Sequence, residues 1–113
     1  MARKFALFAL FLAALAADSL KLHDSGILLD WDNAAQYCRS LDANVPTLAM
    51  MEATFWGGYS SRAGRIPYQR DTYWTSDELD FDGAYAFDFA AGLHTVDYKN
   101  SRHRVMCAKG SYE

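Results

Sequence analysis

The sequence predicts an α+β domain in which two helices precede a twisted antiparallel sheet. Apolar residues recur at helical spacing through the stretch WDNAAQYCRSL, and from Tyr73 onward they alternate as in β-strands. A Gly/Ser-rich stretch, GGYSSRAGR, separates the two patterns and has the composition of a loop. Helices followed by strands are typical of the α+β class.

The first residues have the pattern of a signal peptide. MARK supplies a short positive segment, FALFALFLAALA an uncharged apolar run, and Ala14–Ala16 the small residues that precede cleavage. A spanning helix needs about 20 apolar residues, so an uncleaved anchor is the less favoured alternative. We expect residues 1–17 to be the signal peptide and residues 18–113 to form one domain. The mature protein would then act in the periplasm, at the cell surface or outside the cell, without a membrane span.

The charge of the mature domain argues against nucleic acid as a partner. The whole chain has a formal charge of −3, and removal of Arg3 and Lys4 leaves −5. Domains that bind nucleic acid normally carry a basic surface. No nucleic-acid partner is therefore expected.

Cys38 and Cys107 are the two cysteines of the chain. In an exported protein they are expected to form an intrachain disulfide, with an intermolecular bridge or a reactive thiol pair as the alternatives. A bridge would close a loop of about 70 residues and stabilise the fold by about 4 kcal/mol. A structural zinc site would need further Cys or His ligands at short spacing, which neither cysteine has.

Cap residues and apolar spacing define the two helices. Asp30 or Asp32 can cap a helix that starts near Asn33, and Thr47 can cap a second helix over LAMMEATFW. The buried stripe of the first helix is predicted to contain Trp31, Ala34, Ala35, Cys38 and Leu41.

The second half of the chain predicts the strands. YWTS is a strand candidate, and AYAFDFAAGLHTVDY is typical of a β-hairpin with its turn at Ala91-Gly92. Tyr85, Phe87 and Phe89 would share one face of this hairpin. HRVMCAK is predicted to be the closing strand.

Two stretches resemble a known family. WDNAAQYCRSLDANVPTL is similar to the first conserved stretch of small exported bacterial domains with a C-type-lectin-like fold, and more distantly to formylglycine-generating enzymes. YWTSDELDFDGAYAFDFAAGLHTVDYKNSRHRVMCAKG resembles the ending of the same bacterial family, one member of which is the C-terminal domain of a collagen-like adhesin that binds sulfated polysaccharides. The resemblance implies a C-type-lectin-like fold in which Cys38 of the first helix is bonded to Cys107 of the last strand. Asn44 stands where relatives often have arginine, while Val45 keeps the apolar position.

Enzymatic activity is not expected. The formylglycine-generating reaction uses a pair of thiols that bind copper, and the two cysteines here are expected to form the structural bridge. Related iron enzymes need a cluster of histidines and carboxylates, and the chain has His23, His94 and His103 alone. No Ser-His-Asp order stands out. We expect no catalytic residue and no cofactor, and keep a degenerate oxidoreductase as the least favoured alternative.

Calcium is a weak possibility in the stretch DELDFDG. Glu78, Asp80 and Asp82 alternate before Gly83 as in the start of an EF-hand loop, but Phe89 occupies the position of the bidentate glutamate. A solvated acidic turn is the favoured interpretation, and no metal is expected.

Basic and tyrosine residues supply the candidate binding site. Guanidinium groups suit sulfate and carboxylate, and tyrosines are enriched at interfaces. The candidates are Arg62, Arg65, Tyr68, Arg70, Lys99, Arg102, His103 and Arg104. The predicted function is a non-enzymatic exported binding module for a protein partner or an acidic glycan. The alternative is a structural or accessory subunit of a larger periplasmic or cell-surface assembly.

Overall fold

A computed structural model describes residues 21–57 and 69–109. Within that part of the chain the elements are, in order, β1 (Lys21–Leu29), α1 (Trp31–Ser40), α2 (Leu48–Trp56), β2 (Thr72–Glu78), β3 (Gly83–Asp88), β4 (Leu93–Tyr98) and β5 (His103–Lys109). The predicted α+β class, the two helices, the hairpin and the closing strand are all confirmed. The predicted signal peptide lies outside the described residues.

Both helices begin at the predicted cap residues. The Asp30 carboxylate accepts a hydrogen bond from the backbone N of Asn33 at 2.9 Å, and the Thr47 hydroxyl accepts one from the backbone N of Met50 at 3.1 Å. Because Asp30 is the cap of α1, this helix begins at Trp31, two residues before the predicted start. Leu41 follows the end of α1 and is exposed, so it does not belong to the buried stripe.

The five strands form one mixed sheet in the order β1-β5-β2-β3-β4. Three of the four neighbouring pairs are antiparallel, but β2 and β5 run parallel, with Tyr73 opposite Arg104. The predicted antiparallel pairing therefore holds for three of the four pairs, and the sheet as a whole is mixed. In sequence the β3–β4 hairpin lies between β2 and β5, but in the sheet it lies on the other side of β2. Strands β2 and β5 are therefore direct neighbours, and they run parallel.

Strand β1 was not predicted from the sequence. Its apolar residues do not alternate, because a register shift lies between Asp24 and Leu28 in its pairing with β5. Gly26 has φ +75° within this irregular stretch, and the Asp24 carboxylate accepts a hydrogen bond from its backbone N at 3.0 Å. A strand interrupted in this way lacks the period-2 signal by which strands are recognised.

The sheet buries a separate apolar cluster on each face. The cluster under α1 consists of Ala34, Cys38, Ala43, Val45, Trp74, Ala84, Ala86, Val105 and Cys107. The cluster under α2 consists of Met51, Tyr73, Phe87, Phe89 and Met106. The alternation of Trp74 with Tyr73 and of Cys107 with Met106 shows how successive residues of one strand supply opposite faces.

The hairpin turn fixes how α2 packs on the sheet. Gly92 has φ +75°, and a Cβ placed on it would overlap the ring of Phe55 in α2. Phe55 also contacts Phe87 and Phe89 edge-on or tilted, with ring centroids 5.8 and 6.1 Å apart. The turn glycine predicted at this position therefore serves packing as well as backbone conformation.

A disulfide joins Cys38 of α1 to Cys107 of β5. Both residues are buried, and their Cα atoms are 5.3 Å apart across a sequence separation of 69 residues. The predicted intrachain bridge is confirmed.

We predict that the double substitution Cys38→Ala/Cys107→Ala lowers the free energy of unfolding by about 4 kcal/mol, because the cross-link restricts a long loop of the unfolded chain. Chemical denaturation of the purified mature domain measures this. The wild-type domain unfolded in the presence of reductant is the matched control and should show a similar loss. A loss below about 1 kcal/mol in both would contradict the assigned role of the bridge.

Candidate binding surface

The predicted basic site is only partly visible. Arg62, Arg65 and Tyr68 lie outside the described residues. Arg70 is exposed just before β2, and Arg102 is exposed just before β5. Neither arginine has an ion pair within the described residues. They are the two visible candidates whose charge is open to solvent.

Lys99 is held by structural contacts. Its Nζ atom lies 2.6 Å from a Glu78 carboxylate oxygen and 4.5 Å from the centroid of the Trp31 ring. Its backbone N donates to the carbonyl oxygen of Asp82 at 2.8 Å, while its own carbonyl accepts from the backbone N of Trp31 at 2.9 Å. Lys99 therefore ties the end of β4 to the start of α1, and its charge is already neutralised.

Arg104 is also engaged, in this case with Asp71. Its Nε atom donates to the Asp71 carboxylate at 2.9 Å. The backbone N–H of Thr72 and the Arg104 guanidinium both bind this carboxylate, and together they lower the pKa of Asp71. The same pairing with Asp71 raises the pKa of Arg104. This ion pair braces the start of β2 against β5.

His103 lies between a carboxylate and the core. Its Nε2 atom is 2.8 Å from the Asp97 carboxylate, and its ring packs edge-on against Trp74 with centroids 4.7 Å apart. Burial alone would raise the pKa of Asp97. Hydrogen bonds from His103, the Tyr98 backbone and the Ser101 hydroxyl outweigh the effect of burial, so the pKa of Asp97 is lowered. Of the four basic residues in the predicted run, three therefore bind carboxylates of their own chain.

The acidic candidates lie in the β2–β3 turn. Leu79 and Asp80 donate their backbone N–H groups to the carbonyl oxygen of Gly83 at 3.0 and 3.2 Å, which closes the turn. The hydrogen bond between the side chains of Asp80 and Asp82 raises the pKa of Asp82. Glu78 instead binds Lys99. Among the described residues, no three His, Cys, Asp or Glu side chains converge to hold a metal ion.

The same turn exposes an apolar surface that the sequence reasoning missed. Leu79, Phe81, Val96 and Tyr98 have exposed fractions of 52, 89, 46 and 66 %. Leu79, Val96 and Tyr98 line one depression of about 320 Å³, and Phe81 and Tyr98 line a neighbouring one of about 310 Å³. We call these four residues the hairpin surface. The signal in the sequence was the pair of large apolar residues inside the acidic stretch DELDFDG.

Carboxylates surround the hairpin surface. Asp80, Asp82 and Asp97 line the depression beside Val96. Asp30 and Asp32 line the one beside Phe81. Large exposed apolar groups with a polar rim mark interaction sites in soluble proteins. The arrangement is therefore suited to binding a macromolecule with apolar and basic groups.

A separate cleft of about 460 Å³ lies beside α1 and the segment that leads into α2. Its lining includes Trp31, Ala35, Val45 and Met50, with Arg39 as the charged member. Within the described residues every buried side-chain nitrogen and oxygen has a hydrogen-bond partner. The cleft therefore has no unsatisfied buried polar group that would mark the position of a ligand.

Cys38 and Cys107, the two cysteines of the sequence, are bonded to each other, so neither is a free thiol in this structure. None of the helices in residues 21–57 and 69–109 has the length and apolarity needed to span a bilayer.

One family model matches most of the chain. The model of the family described as "Domain of unknown function (DUF8780)" matches residues 23–109. No curated protein matches the chain significantly.

Three solved structures are similar to the chain. TC14, a C-type lectin from the tunicate Polyandrocarpa misakiensis, has a TM-score of 0.59 at 13 % identity and covers 81 % of this chain and 98 % of its own. Botrocetin has a TM-score of 0.58 at 12 % identity, and the alignment covers 82 % of this chain and 92 % of botrocetin. The mouse scavenger receptor C-type lectin carbohydrate-recognition domain has a TM-score of 0.55 at 10 % identity. The alignment covers 81 % of this chain and 91 % of that domain. These similarities confirm the predicted C-type-lectin-like fold, and at these identities they establish the fold alone.

We predict that Asp97→Asn weakens the acid dependence of stability. Because the folded pKa of Asp97 is lowered, its stabilising contribution is complete above the unfolded pKa of about 3.9 and is lost as the pH falls through the folded pKa. Thermal unfolding of the wild type and the variant between pH 7 and pH 2 should therefore show a shallower acid decline for Asp97→Asn. Asp42→Asn is the control, since Asp42 is exposed and its positive φ of 58° is also tolerated by asparagine. Parallel acid declines for wild type and Asp97→Asn would contradict the assignment.

Proposed function

The chain belongs to the DUF8780 family of domains of unknown function, and on that premise, together with its C-type-lectin-like fold, we propose that it is a non-enzymatic binding module for a protein partner. The observation that carries the proposal is the hairpin surface. Phe81 in the β2–β3 turn and Tyr98 at the end of β4 present aromatic rings to solvent where the regularly paired β3–β4 hairpin begins and ends. Aromatic residues dominate the energetics of protein interfaces.

The rigidity of the support favours a recognition role. The β3–β4 pairing runs without interruption from Gly83 opposite Tyr98 to Asp88 opposite Leu93. The turn that carries Leu79 and Phe81 is closed by the two hydrogen bonds to Gly83. The surface is thus held in place before binding, which reduces the entropy lost on association.

Export is part of the proposal. The N-terminal pattern of a positive segment, an apolar run and small residues supports a signal peptide. The Cys38–Cys107 disulfide supports an oxidising compartment. We place the mature domain in the periplasm or at the cell surface, where it acts as a separate recognition module or as an accessory subunit of a larger assembly.

An acidic glycan is the second candidate ligand. Arg70 and Arg102 are exposed and free of ion pairs within the described residues. The pairing of Lys99 and Arg104 with carboxylates leaves fewer positive charges for sulfate or carboxylate groups than the sequence alone indicated. The protein partner is therefore preferred.

We predict that Phe81→Ala/Tyr98→Ala weakens binding of the native partner at least about thirtyfold, since truncating an aromatic hot spot costs about 2 kcal/mol or more. The tagged mature protein is cross-linked in its source, and the captured partner is purified and titrated against each variant. Because both rings are exposed, the free energy of unfolding should change by less than about 0.5 kcal/mol.

Leu93→Ala is the matched control for that titration. Leu93 is equally exposed on the same strand but lies at the other end of β4. Its substitution should leave binding unchanged. Retained partner binding by Phe81→Ala/Tyr98→Ala would reject the proposal, and heparin binding that is lost in Arg70→Gln/Arg102→Gln would favour the glycan instead.

A further inference from the structure

Strand β4 lies at one edge of the sheet formed by residues 21–57 and 69–109. The backbone N of Lys99 donates to Asp82, on the β3 side, so by alternation residues 97, 95 and 93 also direct their backbone groups toward β3. His94, Val96 and Tyr98 then direct theirs outward. Tyr98 is satisfied locally, since its N–H donates to the Asp97 carboxylate and its carbonyl accepts from Ser101. At His94 and Val96, no strand within the described residues pairs with the outward backbone groups.

The two edges of the sheet differ in their protection. At the other edge, the register shift between Asp24 and Leu28 interrupts β1, and irregularities of this kind discourage pairing with another chain. By contrast, the sequence of β4, LHTVDY, contains neither proline nor lysine and pairs regularly along its whole length. An unprotected regular edge is a template for an added strand.

The side chains on the outward-facing positions continue the hairpin surface. His94, Val96 and Tyr98 share one face of the sheet because they alternate along β4. The His94 ring packs edge-on against Tyr85 with centroids 5.8 Å apart, while Val96 and Tyr98 stay open to solvent. An added strand would therefore bring its own side chains onto an apolar strip that already exists.

The charges around this edge select the partner. Asp80 and Asp82 lie beside Val96 and Tyr98, and Asp32 lies beside Phe81. Lys99, which lines the depression beside Phe81, is bound to Glu78. A second copy of β4 would bring no lysine or arginine to these carboxylates, whereas a basic segment of another protein would.

We propose that the outer edge of β4 accepts an extended, basic segment of a partner protein as an additional strand. The proposal rests on the function proposed above and names the kind of partner. Main-chain hydrogen bonds to His94 and Val96 would supply affinity, apolar side chains would cover Val96 and Tyr98, and lysine or arginine side chains would pair with Asp80 and Asp82.

The test is a selection of random linear peptides displayed on phage against the mature wild-type protein. Enrichment of peptides that alternate β-branched or aromatic residues with lysine or arginine is expected, and their binding should weaken as salt is raised. Failure to enrich any peptide, or enrichment of acidic ones, would overturn the proposal.

Substitutions at His94 separate strand addition from other modes of binding. His94→Pro removes an outward N–H at an edge position where proline is tolerated, and it should reduce peptide binding about tenfold. His94→Ala keeps the N–H and should bind like the wild type. Asp80→Asn/Asp82→Asn should weaken binding and flatten its salt dependence. Circular dichroism and thermal unfolding check that each variant is folded.

The remaining outcomes distinguish the two proposals. Peptides that need Phe81 and Tyr98 but bind His94→Pro and His94→Ala equally would overturn strand addition and leave the proposed function standing. Peptides indifferent to Phe81 and Tyr98 would overturn both. A wild-type dimer in sedimentation experiments that His94→Pro abolishes would assign the edge to a second copy and so overturn the basic partner.

Discussion

The disulfide between Cys38 and Cys107 is the constraint on which the rest of the structure depends. It joins α1 to β5, the strand that pairs with both β1 and β2. With α1 fixed on the sheet, the Trp31 indole donates to the carbonyl of Thr75 at 2.8 Å and the Trp31 ring stacks with Lys99. The helix held by the disulfide therefore also contacts β2 and the residue that follows β4. A domain of this size buries a limited apolar area, so the cross-link supplies a large share of its stability.

Some charged side chains form ion pairs that connect elements of the fold, and others are exposed to solvent without an ion pair within the described residues. Lys99, His103 and Arg104 reach carboxylates 21, 6 and 33 residues away in sequence and so connect separate elements. Such pairs contribute modestly to stability where they are exposed, but those of Lys99 and Arg104 occupy cations that would otherwise attract an anionic ligand. The carboxylates of Asp80 and Asp82 have no cation of this kind bound to them within the described residues. The face beside β4 is consequently acidic and apolar, and this combination suits a basic protein segment.

Local signals in the sequence predicted much of the fold, and non-local ones did not. The caps at Asp30 and Thr47, the hairpin and the last strand depend on neighbouring residues, and each was found where the sequence placed it. The helix-to-strand disulfide followed from the resemblance to C-type-lectin-like domains. Strand β1 was not predicted, because its bulge removes the alternation of apolar and polar residues by which strands are recognised. The hairpin surface was not predicted, because Phe81 in an acidic turn becomes part of an apolar site only when β4 brings Tyr98 beside it.

The central claim is that recognition takes place along β4 and the hairpin surface. Amide hydrogen exchange of the mature domain, free and saturated with its cross-linked native partner, tests it most directly. Binding along this edge predicts slower exchange at His94, Val96 and the turn from Leu79 to Asp82, with exchange at Arg70 and Arg102 unchanged. Slower exchange at Arg70 and Arg102, with His94 and Val96 unaffected, would contradict the account.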